Sequence, residues 1–151
     1  VEVTKVRRTP GAGTLGPDQW RDRLGQFDWV ILAVPATAET EKMIGAAELA
    51  AMKRDAVLIN IARGAVVDQD ALVAALQERR IGGAFLDVTT PEPLPPGHPL
   101  WTMDDAVITM HLSGRAQTRM YERAARRFLA NLPRFQAGEA MESEVDLARG
   151  Y

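Results

Sequence analysis

AVLINIARGAVVDQDALVAAL, residues 56–76, carries the chain's architecture in one stretch. Its first six residues, AVLINI (56–61), are apolar without alternation, as a strand buried on both faces must be. A short polar turn follows, and then ALVAALQERR repeats its apolar residues at helical spacing behind Asp68, a residue suited to capping a helix N-terminus. The stretch therefore predicts a strand followed by a helix over 68–79.

Outward from this unit the pattern repeats. VEVTKV (1–6), DWVILAV (28–34), GGAFLDV (82–88) and AVITM (106–110) read as further strands. Helical patterns cover 17–24, 39–52 with a break at Gly45, and 115–136, a long segment rich in Ala and Arg. Strands alternating with helices predict right-handed βαβ units, and so an α/β fold with a doubly wound parallel sheet. No internal repeat or low-complexity tract interrupts it, and Gly138 to Tyr151 reads as an irregular arm.

Composition narrows the function classes. With 151 residues, 46% of them hydrophobic, the chain can form one domain around a real core. A net charge of −2 with interspersed signs predicts no nucleic-acid partner and no polybasic membrane patch. The absence of cysteine excludes disulfides and thiolate metal sites and suits a cytoplasmic setting. No charged-then-apolar leader and no apolar run near 18 residues is present, so membrane association is not expected.

RTPGAGTLGPDQW (8–20) spells G-x-G-x-x-G with Gly11, Gly13 and Gly16, the spacing that seats a dinucleotide pyrophosphate. The context is wrong for that role. Arg7, Arg8, Thr9 and Pro10 intervene after the strand, Pro17 follows the third glycine, and VILAVPAT stands where a ribose-binding carboxylate would be needed. The stretch reads as a surface turn.

Ligands of such sheets sit beyond the carboxyl ends of the strands. Arg63 follows AVLINI, Glu92 lies four residues past GGAFLDV, and His111 directly follows AVITM. If these strands are neighbours, at about 4.8 Å spacing, a guanidinium, a carboxylate and an imidazole share one crevice. That set suits reduction of a 2-oxo acid: the arginine fork grips a carboxylate or carbonyl, the imidazole exchanges a proton, and the glutamate orients the ring and stabilises the imidazolium. A structural Arg–Glu ion pair and a helix-capping histidine are the alternative. His98, in GHPLW, is a competing histidine at a position that reads as structural, and Trp29 and Trp101 read as packing residues.

Three ordered motifs, LINIARGAVVDQDALVAAL, GAFLDVTTPEPLPPGHPLW and VITMHLSG, together with the terminal VDLARGY, resemble the nucleotide-binding domain of the D-isomer-specific 2-hydroxyacid dehydrogenases, glyoxylate/hydroxypyruvate reductases and phosphoglycerate dehydrogenases among them. The resemblance implies an oxidoreductase acting on a small 2-oxo or 2-hydroxy acid, with Arg63 as the substrate-binding arginine, Glu92 as the histidine-supporting glutamate and His111 as the acid/base. It further implies that Asp87, Ser113 and Gly114 lie near the nicotinamide, that Ile61, Ala62 and Arg63 line the cofactor, and that Val34, Pro35 and Thr40 lie on its adenosine side. The family writes TPH where this chain has Thr109, Met110 and His111, so the rigid entry of proline into that turn is missing. VEVTKVRRTP resembles the family's second strand. Arg7 and Arg8 stand where an acidic residue would bind a ribose 2′-hydroxyl, which favours NADP(H) over NAD(H).

On this resemblance residues 1–137 are a partial dinucleotide-binding domain, incomplete because the Rossmann-type first strand and phosphate loop are missing, and 138–151 an arm toward a missing substrate domain. In the strand order 3-2-1-4-5-6 that loss separates VEVTKV and DWVILAV from the last three strands. The chain is then expected to be the C-terminal part of a larger homodimeric enzyme and inactive alone. A nucleotide-sensing module of the corepressor kind, a non-catalytic dimer fragment, and the related formate dehydrogenases, which resemble this pattern without a glutamate at Glu92, are the other readings.

Overall fold

A computed structural model describes residues 1–114 and 119–148. The chain divides into two compact units, Val1–Met110 and His111–Tyr151.

In the first unit β1 (Lys5–Val6) pairs in parallel with β2 (Thr14–Leu15), and β3 (Trp29–Leu32), β4 (Val57–Asn60), β5 (Gly83–Leu86) and β6 (Ala106–Ile108) form a parallel sheet in that order. Two helices, α1 (Ala46–Ala51) and α2 (Gln69–Gln77), and 3-10 turns at Arg21–Gln26, Gly64–Val66 and Pro99–Thr102 complete it. The α/β expectation holds, with one correction to strand order. DWVILAV is not separated from AVLINI; β3 lies directly beside β4, with Trp29 opposite Val57 and Leu32 opposite Asn60. The Gly-rich stretch explains the difference: it turns through Gly13, at φ 72°, and its Thr14–Leu15 becomes the partner of β1, which leaves DWVILAV free to join the last three strands.

The sheet buries one face more than the other. Leu32, Leu58, Asn60, Ala84 and Leu86 point into the core with Val30 and Ile108 beside them, whereas Trp29, Ile31 and Val107 on the opposite face are exposed. Trp29 is thus not the packing residue its sequence context suggests. Helices follow the buried face. Leu49 of α1 and Leu72, Ala75 and Leu76 of α2 supply the stripe that closes the core with Leu24, Ile44, Val66, Ile81 and Leu100.

Local chemistry sets the element ends. Asp68 caps α2 by accepting the Ala71 N–H at 3.2 Å. Gly45, the expected break, precedes α1, and the Glu48 carboxylate reaches back to its N–H at 3.0 Å. The segment 39–44 is accordingly turns rather than helix, and 17–24 yields a 3-10 turn starting at Arg21 because Pro17 and Gly16 open a turn closed by the Gln19 side chain. At the amino ends of the strands the packing is tight: a Cβ on Gly82 would lie 2.5 Å from the Asp55 carbonyl oxygen, and one on Gly83 2.8 Å from that of Asp105.

The second unit is built on α3 (Met120–Ala137), which ends at Gly138 in the left-handed conformation, φ 70°. The following residues fold back along it: Asn131 exchanges two hydrogen bonds with the Glu142 backbone, 3.0 and 2.8 Å, and Arg127 donates to the Ser143 hydroxyl at 2.7 Å. Residues 115–118, where the sequence predicts the helix to begin, and 149–151 of the VDLARGY motif lie outside the described residues.

Candidate active site

The carboxyl ends of the four strands are level. Leu32, Asn60, Leu86 and Ile108 stand in one row, and the ladder runs one residue further: Ile61 N–H donates to Leu32, Asp87 N–H to Asn60 and Thr109 N–H to Leu86, at 3.2, 3.0 and 2.9 Å. Ile61, Ala62, Arg63 and Asp87, assigned from the sequence to the cofactor or substrate side, follow directly beyond this row.

Beyond β4 the chain makes a tight turn around Asn60, a buried residue at 1% exposure. Its Oδ1 accepts the Ala62 N–H and its Nδ2 donates to the Arg63 carbonyl, both at 3.0 Å. This fixes Ile61, Ala62 and Arg63 as a unit, with Ala62 buried and Ile61 and Arg63 at the surface. The Arg63 guanidinium donates to the Ala62 carbonyl at 2.7 Å. Gly64 then packs against the loop after β5 so closely that a Cβ would fall 2.0 Å from the Thr89 carbonyl oxygen. That contact joins the arginine turn to the segment that leads to Glu92.

Gln69, the first residue of α2, holds the same segment from its other side. Its Oε1 accepts the Thr90 N–H at 2.9 Å and its Nε2 donates to the Thr90 carbonyl at 2.7 Å. The Thr89 hydroxyl donates to Pro91 at 2.9 Å, and Glu92 follows at the surface. His98 lies 3.2 Å from Gln69 through Nε2 and faces the Leu100 N–H at 3.3 Å through Nδ1 as the cap of the Pro99–Thr102 turn. Both contacts are structural.

Asp87 is 2% exposed, and the Thr109 hydroxyl donates to its Oδ1, so the carboxylate is tied to the last residues of the neighbouring strand. Thr109 and Asn60 were missed in the sequence. Each is a polar residue set one place before the end of an apolar run, Asn60 in AVLINI and Thr109 in AVITM, the one signal that singles them out. His111 opens the second unit and adopts φ 54°, a left-handed conformation uncommon outside glycine, with Leu112, Ser113 and Gly114 exposed after it. The first unit thus joins the Arg63 turn to the Glu92 loop, and His111 belongs to the other unit.

On the side of β3, Thr40 closes its own turn: the hydroxyl donates to the Pro35 carbonyl at 2.7 Å and accepts the Thr37 N–H at 2.9 Å, while Val34 packs on the core. Arg7 and Arg8 are exposed past β1, and Arg8 pairs with Glu39 at 2.8 Å, a contact between exposed side chains. Below the site, the Ala71 N–H and Lys42 hold the Asp68 carboxyl below its ordinary range. At Glu48 burial pushes upward but is outweighed by the Gly45 N–H and Arg21, so that carboxyl too is lowered. Among the described residues no His, Cys, Asp or Glu cluster could hold a metal ion.

Residues 4–113 match the family described as D-isomer specific 2-hydroxyacid dehydrogenase, NAD binding domain. The chain belongs to this family. As a D-isomer specific 2-hydroxyacid dehydrogenase domain it has the Rossmann-like α/β architecture that the sequence predicts. A glyoxylate reductase of Thermofilum pendens is 48% identical over 112 residues, 72% of this chain and 33% of that protein. The human glyoxylate reductase/hydroxypyruvate reductase is 42% identical over 125 residues, 81% of this chain and 37% of that protein. A D-isomer specific 2-hydroxyacid dehydrogenase of Xanthobacter autotrophicus Py2, crystallised with NADPH and MES, superposes with a TM-score of 0.89 at 40% identity, over 98% of this chain and 62% of that one. The chain spans less than half the length of the curated relatives it matches.

Proposed function

We propose that the chain is the nucleotide-binding part of an oxidoreductase that moves a hydride between NADP(H), or NAD(H), and a small 2-oxo or 2-hydroxy acid of the glyoxylate or hydroxypyruvate kind. The observation that carries the reading is the junction of Gly64 with Thr89, which fixes the Arg63 turn against the loop bearing Glu92. A cation for the substrate carboxylate and a carboxylate for the acid/base group then hang from one rigid frame at the carboxyl edge of the sheet. The names of the relatives support the substrate class.

The residues fit a nicotinamide dinucleotide. Two guanidinium groups past β1 suit a ribose 2′-phosphate, and the level strand ends give a flat edge with Ile61 exposed on it and Asp87 buried at the end of the neighbouring strand. When bound, the nicotinamide supplies or accepts the hydride. Arg63 binds the substrate carboxylate in two-point fashion. His111 donates the proton to the carbonyl oxygen in reduction and removes it in oxidation, and Glu92 stabilises the imidazolium that does so. Val34, Pro35 and Thr40 line the adenosine side, Ala62 the middle, and Ser113 and Gly114 the nicotinamide amide. A homodimer is proposed for the intact protein, and a cytoplasmic setting. Among the described residues no helix is long and apolar enough to cross a membrane.

The test is NADPH oxidation by the intact protein with glyoxylate and hydroxypyruvate, for the wild type and for His111→Gln. The variant should lose at least about a hundredfold in kcat while NADPH affinity stays within about threefold. Normal turnover in the variant removes His111 from its role. Absence of turnover with either acid in the wild type removes the substrate class.

A further inference from the structure

We propose that Gln69 is a positioning residue of this site, whose side-chain amide sets the place of the Glu92 carboxylate by holding the backbone of Thr90. The inference rests on the role given to Glu92 above.

Both backbone polar groups of Thr90 are closed by one side chain, its N–H by Oε1 at 2.9 Å and its carbonyl by Nε2 at 2.7 Å. A neighbouring strand would pair a residue in the same manner. Only a primary amide can do this here, because it carries an acceptor and a donor at once; an ionised glutamate would offer acceptors only, and leucine neither. Nε2 of Gln69 also lies 3.2 Å from His98 Nε2, beside the far end of the loop. From beneath, the Gly64 contact fixes Thr89, and the Thr89 hydroxyl donates to Pro91.

The need for such a hold follows from burial. Thr89 is the last buried residue before Leu94, and Thr90, Pro91, Glu92 and Pro93 are all exposed. The exposed residues that carry Glu92 therefore span the gap between buried Thr89 and Leu94, and the hydrogen bonds to Thr90 fix the start of that span. Gln69 lies six residues after Arg63, reached through the Gly64–Val66 turn and the Asp68 cap. One short stretch of chain, 63–69, thus carries the arginine and grips the loop of the glutamate.

The experiment is a double-mutant cycle on kcat in the intact protein, with Gln69→Leu, Glu92→Gln and both together, under saturating NADPH and hydroxypyruvate. Gln69→Leu should lower kcat about tenfold with little change in KM for NADPH, and should add less than about twofold to the loss already caused by Glu92→Gln. Gln69→Glu, of the same shape, keeps the bond from the Thr90 N–H and loses the one to its carbonyl; it serves if the leucine variant does not fold, and should lower kcat in the same non-additive way. Full additivity of Gln69 and Glu92 changes, or an unchanged kcat in the Gln69 variants, overturns the inference. An unchanged kcat in Glu92→Gln alone overturns instead the role of Glu92 on which it rests.

Discussion

Asn60 holds the backbone of Arg63: its Nδ2 donates to the arginine carbonyl at 3.0 Å while its Oδ1 takes the N–H of the residue before it, Ala62, at the same distance. A residue with 1% exposure thereby dictates the path of the exposed Arg63. Replacement of Asn60 by leucine keeps the volume and leaves the buried Ala62 N–H without its partner, while the Arg63 carbonyl keeps the Val66 N–H at 3.2 Å. The loss expected in urea unfolding is about 1–3 kcal/mol, the cost of one buried N–H left without a partner. A loss below about 0.5 kcal/mol would mean that the turn holds without this amide.

Gly64 tests the frame from the other side. Alanine at this position brings its methyl group 2.0 Å from the Thr89 carbonyl oxygen and 2.2 Å from its carbon, backbone atoms that no side-chain rotation moves away. Gly64→Ala should destabilise the fold by at least about 2 kcal/mol in denaturant titration, a severe case of overpacking. Wild-type stability in that variant would show that the Thr89 loop can move freely away from the Arg63 turn.

Asp68 makes the stability of the α2 start pH-dependent. Its carboxyl lies below the ordinary value in the folded chain, held there by the Ala71 N–H and by Lys42. A lowered folded pKa means that the stabilisation is present above the unfolded value, about 3.9, and is lost as pH falls through the lower folded value. Asp68→Ala should cost about 1 kcal/mol at neutral pH as a lost cap, and the gap between wild type and variant should narrow below about pH 4. Unfolding midpoints of the two proteins from pH 7 to pH 2 measure it; a gap constant over that range would refute the assignment.

The two arginines past β1 bear on cofactor choice. Arg8 is already paired with Glu39, so a ribose phosphate must share or replace that carboxylate, and Arg7 has to supply part of the attraction. Neutralising both in the intact protein should raise KM for NADPH about tenfold or more and leave KM for NADH within about threefold. An unchanged ratio of the two specificity constants would leave the arginines as solvated charges.

Much of this was legible in the residues. Strand runs and the Asp68 cap lie where apolar runs and capping chemistry put them, and the β4, β5 and β6 runs are neighbours as the crevice argument requires. The strand order was less accessible, since nothing in the run DWVILAV announces its neighbour, and β2, with only Thr14 and Leu15, is too short to leave a pattern. Helices 39–52 and 17–24 shrank because Gly and Pro punctuation defeats weak amphipathic spacing. For the site, Arg63 and Glu92 could be placed from strand ends, whereas their supports act through backbone contacts, Asn60 on Arg63 within its own turn and Gln69 and Gly64 on Thr90 and Thr89, 21 and 25 residues further along the chain. No periodicity encodes such contacts.

The pair Gly82 and Gly83 has a consequence for how this chain can change over evolutionary time. With carbonyl oxygens of Asp55 and Asp105 standing where side chains would begin, the lower rim of the sheet admits hydrogen and nothing larger at either position. The upper rim is different in kind: around Glu92, the exposed side chains of Thr90, Pro91 and Pro93 can be exchanged without entering the core. Sequence variation can accumulate at one end of the sheet while the other end keeps the register, and a saturation library should be empty at Gly82 and Gly83 and populated at the loop tips.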